Sequence, residues 1–86
     1  MPLISLFYGI SIYMYLDDHN PPHFHAKYAE YEIAIRIKDL SIMNGTMPAR
    51  ALGLIIEWAS IHQTELLEDW DLLAKDESPK KIDPLK

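Results

Sequence analysis

The sequence predicts an α+β domain: a small, mainly antiparallel sheet of three to four strands with one long C-terminal helix packed on it. Three observations carry that expectation. Residues 10–17 alternate, with Ile10, Ile12, Met14 and Leu16 on one side and Ser11, Tyr13, Tyr15 and Asp17 on the other, the period of a strand buried on one face. The runs 23–28 and 31–38 pair as a hairpin in one register that separates apolar from polar side chains. From residue 46 onward the period becomes that of an amphipathic helix.

Taken in order, residues 3–8 read as a first strand, with Gly9 as a bend or bulge. Residues 17–22 read as a loop, because Asp and Asn favour turns and consecutive prolines impose extended backbone without N–H donors. In the hairpin an Ala29-Glu30 turn sets Tyr28 opposite Tyr31. Phe24 then meets Ile35 and Ala26 meets Ile33 on the core side. On the polar side His23 meets Arg36, His25 meets Ala34 and Lys27 meets Glu32. The turn itself has poor chemistry, since tight hairpins prefer Gly or Asn.

Residues 40–43 add a candidate short strand before Asn44-Gly45, a strong turn signal. Thr46-Met47-Pro48 opens a helix over 46–75. Leu52, Ile55, Ala59, His62, Leu66 and Leu73 form its apolar stripe, widened by Ile56, Trp58 and Trp70. At ~1.5 Å per residue it would be roughly 40 Å long, more than a small sheet can cover. Its end is therefore expected against another chain or the C-terminal segment. Residues 76–86 read as an extended tail. Residues 1–86 thus divide into strands and a histidine–proline loop (1–43), a helix (46–75) and a tail (76–86), all in one domain.

A hydrophobic content of 49% with 24% charged residues is that of a folded soluble domain rather than a disordered chain. Without cysteine, disulfides and thiolate metal sites are excluded. The apolar run 3–16 lacks a basic lead-in, alternates, and is too short for a bilayer. A cytoplasmic location with no membrane association is the resulting expectation. The net charge of −5 argues against broad nucleic-acid binding, which needs clustered Lys and Arg. The acidity lies mainly beyond residue 50, where four basic residues face eight acidic ones.

Three of the four histidines fall in His19-Asn20-Pro21-Pro22-His23-Phe24-His25, a density that folding does not require. His23 and His25 project from one face of a strand, about 7 Å apart at the backbone. With His19 folded back they form a nitrogen triad for Zn²⁺ or another divalent ion, with Asp17 or Asp18 as a fourth ligand. Against that, Arg36 beside His23 and Lys27 beside His25 place two cations near the ion. The same neighbours suit an anion. His23 and His25 would then serve as general acid and base in a metal-independent ribonuclease, with Arg36 and Lys27 stabilising charge and RNA as substrate. A third reading makes the histidines a stiff, hydrogen-bonded loop with no cofactor.

His62 lies on the apolar helix stripe, where Glu65 can fix its tautomer and Trp58 can stack on it. It would join the other histidines only if the helix crossed the polar face of the sheet. Tyr13 and Tyr15, on the polar side of their strand, and Trp70, late in the helix, are candidate interface residues for a protein partner or a second copy.

The segments Phe7-Tyr8-Gly9-Ile10, Asp18-His19-Asn20-Pro21-Pro22-His23-Phe24-His25-Ala26 and Tyr28-Ala29-Glu30-Tyr31-Glu32 resemble a bacterial family of small proteins, domain-of-unknown-function family 4160. So do Glu57-Trp58-Ala59, His62, Glu65-Leu66, Trp70 and Ile82-Asp83-Pro84-Leu85. Ala29 stands where that family usually has glycine. The resemblance implies a gene neighbour of another small uncharacterised family, numbered 2442, and a pair behaving like a toxin–antitoxin or regulatory module. It carries no catalytic residues. The expectation is thus a cytoplasmic interaction protein with a partner from a neighbouring gene, with the ribonuclease and the divalent-metal protein as alternatives.

Overall fold

Alternating side chains and two tight turns build the sheet before any helix is added. The structure, a computed structural model, describes residues 2–16 and 18–86. Strands β1 (Leu3–Phe7), β2 (Ile10–Tyr13), β3 (His23–Tyr28), β4 (Tyr31–Arg36) and β5 (Ile42–Thr46) precede helices α1 (Ala49–Ile61) and α2 (Gln63–Ala74). The five strands lie side by side in chain order, every neighbouring pair antiparallel. This corrects the expected three to four strands: both doubtful runs, one before Gly9 and one after Leu40, join the sheet.

The β3–β4 hairpin has the register its side chains dictate, from His23 opposite Arg36 through Phe24–Ile35, His25–Ala34, Ala26–Ile33 and Lys27–Glu32 to Tyr28–Tyr31. Two residues make its turn, and Ala29 takes a left-handed φ of 53°, which a Cβ makes costly. Asn44-Gly45 is not a turn. Both lie within β5, where Met43 is an extra residue between the Ala34–Asn44 and Ile35–Ile42 pairs. Gly45 is required because a Cβ would lie 2.2 Å from the Glu32 carbonyl oxygen. The chain instead reverses before β5, where Asp39 Oδ1 accepts from the Ser41 amide and hydroxyl.

Both helices cover one face of the sheet. Ile12, Phe24, Ala26, Ile33 and Ile35 pack with Ile55, Trp58, Ala59 and Leu66 in one core. Trp58 is fully buried between Phe7 and Phe24, at ring distances of 5.4 and 6.0 Å. The expected single helix is two. An unbroken rod over 46–75 would overrun a molecule whose longest extent is 34 Å. The break falls at His62 (φ −117°, ψ 23°), where Gln63 Nε2 donates to the carbonyls of Ile37 (2.8 Å) and Lys38 (3.2 Å). After it, α2 turns round the sheet and brings Trp70 to His23.

The C-terminal segment is docked on the core. Ile82 is buried in the core and its N–H donates to the Ile4 carbonyl at 3.0 Å. Trp58 Nε1 donates to the Asp83 carbonyl at 2.7 Å. The Lys80 N–H donates to Asp69 Oδ1 at 2.8 Å. No helix among the described residues is long and apolar enough to cross a membrane.

Candidate functional site

The loop before β3 and the first residues of β3 make the densest polar cluster. Strand alternation puts His23 and His25 on the face opposite Phe24. The Asn20–Pro21 peptide is cis, and the loop returns Asp18 over the two rings. Asp18 Oδ2 lies 2.9 Å from His23 Nε2 and 3.3 Å from His25 Nε2. One ligand atom from each of these residues lies within 4.8 Å of the others. The edges of a tetrahedron of ~2.0–2.1 Å metal bonds are about 3.3 Å, which the His25 distance matches and the His23 distance, at 2.9 Å, falls short of.

The His23 ring is fixed at both nitrogens. Its Nδ1–H donates to the Pro21 carbonyl at 2.8 Å, which leaves Nε2 as the lone-pair nitrogen of the neutral ring. The ring is 3% exposed and lies 5.2 Å from Trp70 and 5.0 Å from His25. His25 sits parallel to Tyr13 at 5.4 Å and edge-on to Tyr15 at 4.6 Å. Burial pushes the Asp18 carboxyl up. Hydrogen bonds from His25 and the His19 amide, with the charges of His23 and His25, outweigh that and hold it below the ordinary range.

The other expected residues sort clearly. His19 stays at the rim: its side chain is 83% exposed and its Nδ1 lies 3.2 Å from Asp18 Oδ1. Asp17 lies outside the described residues. Arg36 is opposite His23, but its Nη1 donates to Asp39 at 3.5 Å. Lys27 is exposed and paired in register with Glu32. Of the two cations, Arg36 thus has a carboxylate partner, whereas the Glu32 carboxylate opposite Lys27 accepts from Tyr13.

His62 meets Glu65 and the Trp58 ring, as its spacing suggests. That places it on the covered, apolar side and not in the cluster, so His62, Glu65 and Trp58 do not support this site. Of the expected interface residues only Tyr15 is exposed. Tyr13 is 2% exposed because Tyr15 and His25 cover it. Its hydroxyl donates to Glu32 at 2.6 Å, and burial together with that carboxylate pushes its pKa up. Trp70 is buried because α2 folds it against His23. Sequence reasoning underrated Asp18 and missed the Pro21 carbonyl. The short Asp18-to-His23 spacing was the available signal for the first.

A protein-family model described as "Domain of unknown function (DUF4160)" matches residues 9–71. No curated protein and no solved structure matches the chain. The matched span includes Asp18, His23, His25 and Trp70 and covers well over half of the sequence. The chain therefore belongs to the DUF4160 family.

Proposed function

We propose that the protein binds one divalent transition-metal ion of the zinc class through Asp18, His23 and His25, and that this centre is the core of its function. The observation that carries the reading is the pinned His23 ring. Its Nδ1 proton is committed to the Pro21 carbonyl while Nε2 faces a carboxylate oxygen at 2.9 Å. Two lone-pair atoms that close repel unless a proton or a cation lies between them. A divalent ion satisfies Asp18, His23 and His25 together. A carbonyl holding the far nitrogen is the usual support of a metal-ligating histidine. A protonated His23, donating Nδ1–H to Pro21 and Nε2–H to Asp18 while His25 donates its own Nε2–H, would satisfy the same atoms, and it is the outcome the metal titration must exclude.

The metal-independent ribonuclease fits less well. Acid–base work on a polymer needs an accessible His23, and this ring is buried.

Thermal unfolding with and without Zn²⁺ tests the proposal. At a hundredfold excess over Kd the ion should add about 2.7 kcal/mol, which is roughly 10–20 °C in Tm for a domain of this size. Asp18→Asn and His25→Ala should fold and lose the shift. An unshifted wild type, or variants that shift equally, would refute the site.

The interaction reading from the two-gene resemblance has one supporting feature. On the sheet face away from the core Leu3 and Leu6 are 39% and 56% exposed, in register with Tyr13 and Ser11. Leu6→Arg should abolish capture of the neighbouring gene's product in a pull-down. Capture that survives the substitution would remove this face from consideration.

A further inference from the structure

Asp18 has two surroundings. It completes the cluster with His23 and His25, and it also lines a cavity of about 300 Å³ together with Tyr15, Asn20, Trp70 and Asp71. Building on the metal reading above, we infer that this cavity receives a small monoanionic oxygen-donor ligand, a carboxylate or hydroxamate bearing a hydrogen-bond donor, that completes the coordination of the ion.

The coordination count comes first. Three protein ligands leave at least one position open on a zinc-class ion, the arrangement of sites that act on a ligand rather than sites that only staple a fold. Among the described residues the nearest further candidate is His19, whose side chain is 83% exposed and whose Nδ1 faces the other Asp18 oxygen. It stands outside the group of mutually close ligand atoms.

Charge sets the ligand's sign. A divalent ion on one carboxylate and two neutral imidazoles keeps a net charge of about +1, which a monoanion neutralises. The cavity walls set the rest. Trp70 and Tyr15 offer aromatic surface for a short apolar body. Asp71 opposes a second acidic group and accepts from a hydroxyl or ammonium donor, and the Asn20 amide can do the same. A volume near 300 Å³ lies at the lower end of small-molecule sites, which suits a short ligand.

Cobalt makes the pocket visible, because its visible absorption reports changes in coordination. The full chain is stripped with chelator, loaded with Co²⁺ and titrated with acetohydroxamate. Wild type should bind one Co²⁺ and show a saturable spectral change. Ala74→Trp adds bulk to the cavity wall without altering a ligand, so it should keep cobalt and weaken the probe at least tenfold. The smaller Ala74→Leu should give an intermediate loss. His19→Ala should leave both affinities unchanged.

Cobalt binding without response to the probe would overturn the pocket and leave the metal site standing. Equal probe affinity in both Ala74 variants and wild type would do the same. Loss of cobalt in His19→Ala would show that His19 closes the site. Failure of wild type to take cobalt would overturn the metal reading and this inference together.

Discussion

Pro21 has no N–H of its own, yet its carbonyl decides how His23 is presented, by accepting the Nδ1 proton at 2.8 Å. Such backbone partners cannot be read from a sequence, whereas the histidines themselves can. Ala29 was legible as a mismatch, and its φ of 53° supplies the cause. Ala29→Gly should raise stability by roughly 0.4–1 kcal/mol in denaturant melts. No gain would mean that the turn relaxes out of the left-handed region. Asp69 is 1% exposed and its Oδ2 has no partner among the described residues. Burial pushes its pKa up and the Glu68 and Glu65 charges add to that, against the opposing Lys80 amide and charge. A raised folded pKa contributes stability that is complete below the unfolded value of ~3.9 and is lost as pH rises through the folded value. The stability difference between Asp69→Asn and wild type should therefore move in favour of the variant as pH rises from about 4. Parallel pH profiles in chemical denaturation would contradict the assignment.

At the scale of elements, the β3–β4 register was readable because a one-residue slip would have moved Phe24, Ala26, Ile33 and Ile35 off the core face. The helix break was not readable. No Gly or Pro lies near His62, and the interruption comes from tertiary demands: the 34 Å limit of the molecule and the bonds of Gln63 to the Ile37 and Lys38 carbonyls. The C-terminal segment was readable as extended chain, but its anchors were not: backbone groups of Lys80, Ile82 and Asp83 hold it to α2, β1 and α1. Ile82→Ala should cost about 2 kcal/mol and speed proteolysis at the C-terminus. An unchanged melting curve would show that the segment does not contribute to the core. Gly45→Ala should cost more than about 1 kcal/mol, since the strand would need both a positive φ of 91° and space that the Glu32 carbonyl occupies.

The whole molecule divides its two sheet faces between two tasks. One carries the core, packed under α1 and α2, whose Trp70 also reaches round to His23. The other carries Tyr13, His25 and the loop that lowers Asp18 onto the histidines. The sequence identified the histidine stretch as the place to look, yet it left metal, anion and stiff loop all open. The directions of the two His23 nitrogens are what favours the proposed metal reading. The central claim is that one divalent ion joins Asp18, His23 and His25, and the most direct test is native mass spectrometry of untagged protein after chelator treatment and titration with Zn²⁺. One bound ion per chain in wild type, with none in Asp18→Asn, is the result predicted. A wild type that stays metal-free under excess Zn²⁺ would contradict the account and leave the cluster as an imidazole–carboxylate network that stiffens its loop.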